Sequence, residues 1–436
     1  MSTLPNIVNY SEPLLMLPEN TTNILATALP TNASTFGPGQ IAVVDLQTNR
    51  GFLDPASLSI RYKVATTSAG VTTAKIVGTP VYTFINKFVC YANSQTIESI
   101  SNYNTVANTN VQLQLSVADK VGQQYSYGYV DNGAVTPVTN EALDGRICTA
   151  TADSFSMSAP LYCLLGNAEK LIPLALMQNL RMEFSFESLA NVSSALTADL
   201  GAILTSYTIS NFEVVYNVID FGQEIQREIF NTDKIRIKSK SYNTSIAPIK
   251  TGANGNINLI YNLRYASIKS AFVNFGPTNP KFACKNLESV DPTENTGDFS
   301  IQCAGISYPQ RSLSCLNAGK AGIMNELRRS MGSLFGNNVS MSINSYEFSR
   351  TSSITDATYG VSTYDKPGKF ILGFNLEKLT VPSKAFFTGI STSNSPITLN
   401  INTTTALAQD INAMLIATYD AIIDIDVQSK QIVIVS

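Results

Sequence analysis

The chain has 436 residues, of which 44% are hydrophobic and only 14% are charged, with a formal net charge of −3. This balance excludes a global basic field for holding nucleic acid, and the total absence of histidine excludes Ser-His-Asp triads, Cys-His pairs and histidine metal sites. Ordinary soluble proteins carry ~25% charged residues. Either neighbouring copies cover much of the surface, or a Ser-, Thr- and Asn-rich exterior is solvated without charge.

Residues 1–39 are predicted to form an extended arm. Their five prolines (Pro5, Pro13, Pro18, Pro30 and Pro38) remove backbone donors, so we expect that this stretch does not easily add a strand to its own sandwich. The apolar clusters 14–17 and 24–25 need a partner surface, so we expect the arm to become ordered on a neighbouring subunit. The N-terminus lacks the basic and apolar regions of a secretory signal.

Alternation of apolar and polar residues dominates the first half, residues 40–222. Such alternation is typical of a strand with one buried face. It occurs at 58–64, 111–117 and 182–186. A weaker helical pattern covers 94–108, and residues 119–158 lack a core pattern and are predicted to be a long loop. The half closes on an aromatic-rich strand at 207–216.

A polar, briefly helical segment at 223–234 is predicted to link the two halves. The second half, residues 235–436, again alternates, at 257–265, 339–343, 397–401 and 423–427. An amphipathic helix is predicted over 318–335, where Ile323, Leu327, Met331 and Leu334 recur at helical spacing before Gly336. Long loops are predicted at 276–297 and 351–368.

The two halves share an order of elements that indicates an internal duplication. In each, a short helix precedes a long alternating strand, and each half closes on a strand rich in aromatic or aliphatic residues. Many strands separated by Gly-, Pro- and Asn-rich turns favour antiparallel sandwiches. We therefore predict an all-β fold of two consecutive eight-stranded antiparallel jelly-roll sandwiches with short helical insertions.

Three patterns could carry chemistry, and each has a simpler explanation. Gly319-Lys320-Ala321 is similar to the end of a phosphate-binding loop but lacks its Ser or Thr, so a helix N-terminus is the simpler reading. Asp424 and Asp426 could act as a pair of catalytic carboxylates, and together with Asp420 they could bind Ca²⁺, although alternation alone explains them as the solvent-facing side of a terminal strand. We predict no catalytic residue, no cofactor and no metal site.

A basic stripe, Arg236, Lys238 and Lys240, lies opposite Ile235 and Ile237. It could neutralise the phosphates of a packaged genome. It has no interleaved aromatic residues for base stacking, so a solvated strand face is the favoured explanation.

Six cysteines are scattered without a Cys-x-x-Cys pair, which disfavours a cysteine metal site. They are Cys90, Cys148, Cys163, Cys284, Cys303 and Cys315. Without a secretory signal, all six are predicted to be reduced. No apolar run is long enough to span a membrane.

Three segments resemble the double jelly-roll major capsid proteins of the adenovirus, polinton-like virus and virophage lineage. They are Gly51-Phe-Leu-Asp-Pro55 before the first long strand, the apolar turn and strand at 171–186, and the closing strand at 417–425. The similarity in architecture covers roughly residues 40–436. The chain is short for an adenovirus-type hexon, which implies modest tower loops.

The resemblance implies a structural protein of the virion and not an enzyme. It implies homotrimeric, pseudo-hexagonal capsomers that tile an icosahedral shell around a double-stranded DNA genome. The expected partners are other copies of the chain, penton and minor capsid proteins, without sequence-specific nucleic acid binding. The alternative is a carbohydrate-binding or adhesive β-sandwich of a fibre or spike, in which Tyr125, Tyr127 and Tyr129 would stack on sugars.

Overall fold

The structure is a computed structural model. It describes residues 21–46, 51–68, 74–129, 145–148, 152–195, 204–222, 227, 230–277, 287–316, 319–331, 341–343, 345–349, 368–378 and 386–436. Of the described residues, 51% lie in strands and 16% in helices. This composition confirms the predicted all-β class.

The described strands of the first half are β1 (Thr22–Ala28), β2 (Thr35–Phe36), β3 (Ile41–Asp45), β4 (Phe52–Leu53), β5 (Ser59–Ser68), β6 (Ala74–Val77), β7 (Ile85–Ala92), β8 (Gln95–Ile100), β9 (Gly145–Cys148), β10 (Ala152–Pro160), β11 (Ile172–Pro173), β12 (Arg181–Phe186), β13 (Ser193–Ala195) and β14 (Leu204–Asp220). Those of the second half are β15 (Lys234–Ile249), β16 (Gly255–Tyr261), β17 (Ile268–Pro277), β18 (Asp298–Cys303), β19 (Ile306–Ser314), β20 (Ile371–Asn375), β21 (Ile397–Thr403), β22 (Ile411–Asp426) and β23 (Ile432–Val435).

The described α-helices are short and few. They are Pro80–Thr83, Tyr103–Gln114, Val117–Gly122, Gln124–Tyr127, Lys320–Ser330 and Ser345–Phe348. The 3-10 turns are Pro55–Ser57, Leu174–Leu176 and Leu189–Asn191.

The second half is an eight-stranded jelly roll whose principal strands are β15 to β22 in chain order. One sheet has the order β15-β22-β17-β20, with β23 added beside β22, and the other has the order β16-β21-β18-β19. Numbering the strands one to eight, the sheets therefore pair as 1-8-3-6 and 2-7-4-5. All of these pairs are antiparallel.

The first half repeats the same pairing. With β1 and β2 together as strand one, the order 1-8-3-6 is formed by β1/β2, β14, β5 and β10. The order 2-7-4-5 is formed by β3, β12, β7 and β8. The extra pair β4–β11 and the small sheet β13-β6-β9 are additions to this plan. The shared topology confirms the internal duplication, with the predicted closing strands as strand eight of each half.

Buried apolar residues from both facing sheets fill the core of each half. In β5, Ile60, Tyr62 and Val64 are buried while the residues between them are exposed. The Phe184 and Phe212 rings, from opposite sheets, have centroids 4.9 Å apart. The predicted alternation at 58–64 and 182–186 is thus confirmed, because it marks the face of each strand that points into the sandwich.

The first strand of the fold corrects the prediction of an arm over 1–39. β1 pairs in continuous register with β14, from Thr22 opposite Asp220 to Ala28 opposite Val214, and β2 pairs with the same strand. No proline lies between Pro18 and Pro30, so the backbone donors that the ladder needs are present in this stretch. The expectation that the stretch adds no strand was wrong for Thr22–Ala28 and Thr35–Phe36, and residues 1–20 lie outside the described residues.

Two predicted strands are not strands. Residues 111–114 end the helix Tyr103–Gln114, and the helix Val117–Gly122 begins three residues later. The helix Tyr103–Gln114 is buried on almost every side, so its apolar residues do not mark a single face. Residues 341–343 belong to no strand, and 339–340 lie outside the described residues.

The predicted loop at 119–158 is not free of regular structure. Its described residues include the helix Gln124–Tyr127, the strand β9 and most of the strand β10. The predicted helix near 318–335 is confirmed as Lys320–Ser330, with Ile323 and Leu327 fully buried. In both halves, a helix lies between strands five and six, which extends the duplication to the helical insertions.

Candidate functional site

The three cations of the predicted basic stripe lie on β15 in different surroundings. Arg236 Nε lies 3.3 Å from Asp424 Oδ2 on the neighbouring strand. Lys238 Nζ lies 5.1 Å from the centre of the Phe386 ring. Lys240 lines a cleft. The stripe therefore does not present a row of three free cations to a phosphate backbone.

The cleft at Lys240 has a volume of about 560 Å³ and lies between the helix Tyr103–Gln114 and the sheet of the second half. The Lys240 side chain lies at the opening of the cleft, where it is still exposed to solvent. Partial burial of its ammonium group, and then the nearby positive charge of Lys269, lower the pKa of Lys240. Lys269 in turn lies 3.1 Å from Asp420 and 3.5 Å from Glu377. The cleft thus holds both signs of charge, and the carboxylate in its lining, Glu377, is paired with Lys269.

The three carboxylates near the C-terminus do not converge on one point. Asp420 is buried and also accepts a hydrogen bond of 2.7 Å from Ser267 Oγ. Asp424 contacts Arg236, and Asp426 accepts hydrogen bonds from Ser429, which lower its pKa. Within the described ranges, no three His, Cys, Asp or Glu side chains are grouped in a way that could hold a metal ion.

Lys320, at the predicted phosphate-loop-like sequence, is used inside the protein. Its Nζ lies 3.2 Å from Asp291 Oδ2, donates to the Ser349 carbonyl, and lies 5.5 Å from the centre of the Phe370 ring. Since Asp291 is fully buried, this lysine neutralises an interior carboxylate. The ion pair with Asp291 therefore gives Lys320 a structural role that does not require a bound nucleotide.

The tyrosines of the alternative, sugar-binding hypothesis lie mostly inside the protein. Tyr127 and Tyr129 are buried, and the Tyr129 hydroxyl donates to Thr79 Oγ1 at 3.0 Å. Only Tyr125 of this group is exposed. The sugar-binding hypothesis requires three exposed tyrosine rings, and only one of the three is exposed.

A buried polar junction between the two halves was not found from the sequence. We define the junction as the contacts of β15 with β8 and with residues 161–169. Glu98 on β8 is buried, accepts hydrogen bonds of 2.8–2.9 Å from the Leu164 backbone N–H, and accepts one from Ser241 Oγ on β15. Burial raises the pKa of Glu98 to about 7.

The junction also supplies hydrogen-bond partners for backbone carbonyls on the outer edge of β15. The backbone N–H of Glu169 donates to the Lys238 carbonyl at 2.9 Å, and Asn167 Nδ2 donates to the Lys240 carbonyl at 3.1 Å. Ser239 Oγ donates to the Leu164 carbonyl. The edge of strand one of the second half is thus covered by the first half of the same chain, as exposed edges of sheets require.

Among the described residues, no helix is long and apolar enough to cross a membrane. The sequence matches no family model, and it matches no curated protein.

Solved structures match the chain over nearly its whole length. The Faustovirus major capsid protein aligns with a TM-score of 0.62 at 9% identity, over 97% of this chain and 92% of that one. PBCV-1 VP54, as fitted into a reconstruction of the virophage Sputnik, aligns with a TM-score of 0.60 at 11% identity, over 98% and 99%. The chain has the double jelly-roll fold. The mavirus major capsid protein shares it, with a TM-score of 0.52 at 10% identity over 100% of this chain and 95% of that one.

The double jelly roll also explains the three segments that carry the sequence resemblance. β4, in Gly51-Phe-Leu-Asp-Pro55, pairs with β11, in the apolar turn near residue 171, through Leu53 opposite Ile172. The closing segment 417–425 lies in β22, at the centre of its sheet. The predicted resemblance is confirmed at the level of the fold.

Proposed function

We propose that the chain is the major capsid protein of a virus, a structural building block and not an enzyme. The single observation that carries this proposal is the match of both jelly rolls, over nearly the whole chain, to viral major capsid proteins. The engagement of Lys320, Asp420 and Asp424 in internal contacts supports a structural role.

The capsomer is proposed to be a homotrimer with a hexagonal outline. Each chain carries two jelly rolls of one topology, so three copies in a ring present six similar lobes. Such tiles would pave an icosahedral shell around double-stranded DNA, with penton and minor capsid proteins as further partners. The chain would be made in the interior of the host cell and located in the virion.

Binding to the genome is proposed to be independent of its sequence. The net charge is −3, and Arg236 and Lys238 of the basic stripe contact protein groups. Any contact with DNA would therefore be made by scattered charged side chains to the phosphates, and not by a surface that recognises the base edges.

Negative-stain microscopy of the purified chain tests the proposal, with its mass in solution measured in parallel. We expect three-fold particles with a hexagonal outline and the mass of three chains. Monomers or fibres that bind glycans would instead support the adhesive alternative and overturn the capsid proposal.

A further inference from the structure

The cleft at Lys240 is large enough for a small molecule, and its walls come from both halves of the chain. The first half supplies the end of the helix Tyr103–Gln114 and Leu115. The second half supplies side chains of β15, β17 and β22 and the end of the helix Lys320–Ser330. The volume of about 560 Å³ lies within the ~300–1,000 Å³ of typical ligand sites. A molecule held here would contact both halves at once.

The two lysines of the cleft differ in their partners. Lys269 is paired with Glu377 and Asp420. Within the described ranges, the Lys240 ammonium group has no ion pair and donates no hydrogen bond. The pKa of Lys240 is lowered first by partial burial and then by the charge of Lys269, and a bound anion would oppose both effects. The cleft therefore has an unpaired positive charge at its opening.

The rest of the lining suits a ligand with an apolar body. Phe272 is buried, and Leu115 and Met331 are partly buried against the core, so all three offer carbon surface to the cleft. Ser270 and Thr418 add hydroxyl groups. A mainly apolar lining with a few polar groups that fix orientation is the usual composition of a small-molecule site.

The charges of the lining favour a single negative charge on the ligand. Glu377 belongs to the lining, so a second negative charge would lie near this carboxylate and be repelled. None of the described lining residues is an arginine, the side chain whose planar fork binds a phosphate through two hydrogen bonds. A lone carboxylate, which one ammonium group can neutralise, fits these surroundings better than a phosphate.

We infer that the cleft binds a small organic monocarboxylate, with its carboxylate beside Lys240 and its apolar body against Leu115, Phe272 and Met331. The inference goes beyond the proposed function and does not depend on it, because every residue involved belongs to one chain. Since the walls belong to both halves, the ligand holds one half against the other. A ligand that binds only the native chain also raises its melting temperature.

Calorimetric titration of the purified chain tests the inference, with 3-phenylpropionate as the probe and 3-phenylpropanol as its neutral counterpart. We expect the carboxylate to bind about tenfold more tightly than the alcohol, because only the carboxylate can pair with the charge of Lys240. The carboxylate should also raise the melting temperature. Equal affinity for the two probes, or binding of neither, would overturn the inference.

Substitutions on β15 locate the bound carboxylate. Lys240→Gln should weaken the binding of 3-phenylpropionate about tenfold, while Lys240→Arg keeps the charge and should retain most of the affinity. The matched control is Lys238→Gln, because the Lys238 ammonium group lies against the Phe386 ring and Lys238 is not among the residues that line the cleft. If Lys240→Gln binds the probe as tightly as wild type, or Lys238→Gln loses as much affinity, the inference is wrong.

A second measurement reports on Lys240 itself. Reductive ¹³C-methylation labels the lysines for NMR, and the signal that disappears in Lys240→Gln identifies Lys240. In the free chain this signal should titrate at a lower pH than those of ordinary exposed lysines, and at a higher pH once 3-phenylpropionate is bound. A titration that the probe leaves unchanged would show that the probe binds elsewhere, and it would contradict the inference.

Discussion

Glu98 is a carboxylic acid held between the two halves with no cation among the causes that shift its pKa. Its burial favours the neutral form, and hydrogen bonds from Ser241 and Leu164 only partly offset that preference. The thiols of Cys90 and Cys163 face it, and burial raises the pKa of both, so they stay neutral. The charge of Glu98 is therefore a cost to the junction whenever the acid ionises.

Stability is expected to fall as the pH rises towards neutrality. An unfolded glutamate titrates near 4.3, and the native pKa of Glu98 is about 7. The native state thus holds the proton more tightly, and the stabilisation is complete below about pH 4.3 and lost as the pH rises through about 7. The loss is on the order of 4 kcal/mol.

Glu98→Gln should remove this part of the pH dependence, since an amide can accept from Leu164 and donate to Ser241 without a charge. Urea unfolding midpoints of the variant should be flatter than wild type between pH 5 and 8, and higher at pH 8. Ser241→Ala is the matched variant, because it keeps the acid and removes a hydrogen bond that lowers the pKa of Glu98, so its pH dependence should be at least as steep as that of wild type. A wild-type slope in Glu98→Gln would show that other groups control the pH dependence.

The cysteines give a second prediction at this scale. All five that the structure describes are free and buried, and Cys284 lies outside the described residues. Burial raises the pKa of Cys90, Cys148, Cys163 and Cys315, so the reactive thiolate is scarce in the native protein. Thiol titration should find six groups in denaturant without reductant, and those five should react slowly in the native state. Four or fewer groups in denaturant would contradict the prediction.

At the scale of elements, the helix Tyr103–Gln114 is an unusual interior segment. Its buried residues include asparagines, threonines and Gln112, so it must satisfy polar groups on both sides. Asn108 Oδ1 accepts from Thr79 within the first half. On the other side, Thr109 Oγ1 accepts from Asn274 Nδ2 of the second half at 3.1 Å.

A double-mutant cycle tests whether this contact joins the halves. Thr109→Val leaves the buried Asn274 amide without that partner, so we expect a loss of about 1–3 kcal/mol in the free energy of unfolding. Adding Asn274→Leu replaces both polar groups by apolar ones and should recover most of it. Ser245→Ala on the partly exposed part of β15 serves as a control with little expected effect. Additive losses would show that the two side chains act independently.

The same helix shows where sequence reasoning stops. Residues 111–117 alternate like the true strands 58–64 and 182–186, but alternation identifies a strand only when one face is buried. In a segment that is buried on all sides, the polar residues are hydrogen-bonded to partners distant in the sequence. The order of polar and apolar residues then does not reveal whether the segment is a strand or a helix. The helix Lys320–Ser330 was predictable because its buried residues lie on one face.

The junction was unpredictable for a related reason. Glu98 stands in an ordinary strand sequence, and its partner Ser241 lies 143 residues away. Only the packing of one half against the other brings them together. By contrast, the fold class, the two halves and the closing strands followed from local alternation, which each strand carries by itself.

At the scale of the whole molecule, β1 and β2 limit how much of the N-terminal segment can be deleted without loss of the fold, because both strands belong to the first jelly roll. Deleting residues 2–35 would take away strand one of the first jelly roll, with its ladder to β14 from Thr22 to Ala28. It would also expose the inner face that the buried Ala28 covers. We expect such a chain to lose its native fold before any effect on assembly can be measured.

Deleting residues 2–20 keeps β1 and isolates the predicted arm. Its cluster Leu14-Leu-Met-Leu17 gains ~1.5–3 kcal/mol for each side chain that is buried, while ordering each backbone residue costs ~1–2 kcal/mol. Ordering the backbone of the whole arm costs more than burial of this cluster supplies, so we expect the arm to bind only where assembled neighbours supply further contacts. Capsomers should keep the wild-type mass and melting temperature, while the yield or thermal stability of shells falls. Shells of normal yield and stability would show that the arm is passive, and loss of the capsomers themselves would place its contacts within the trimer.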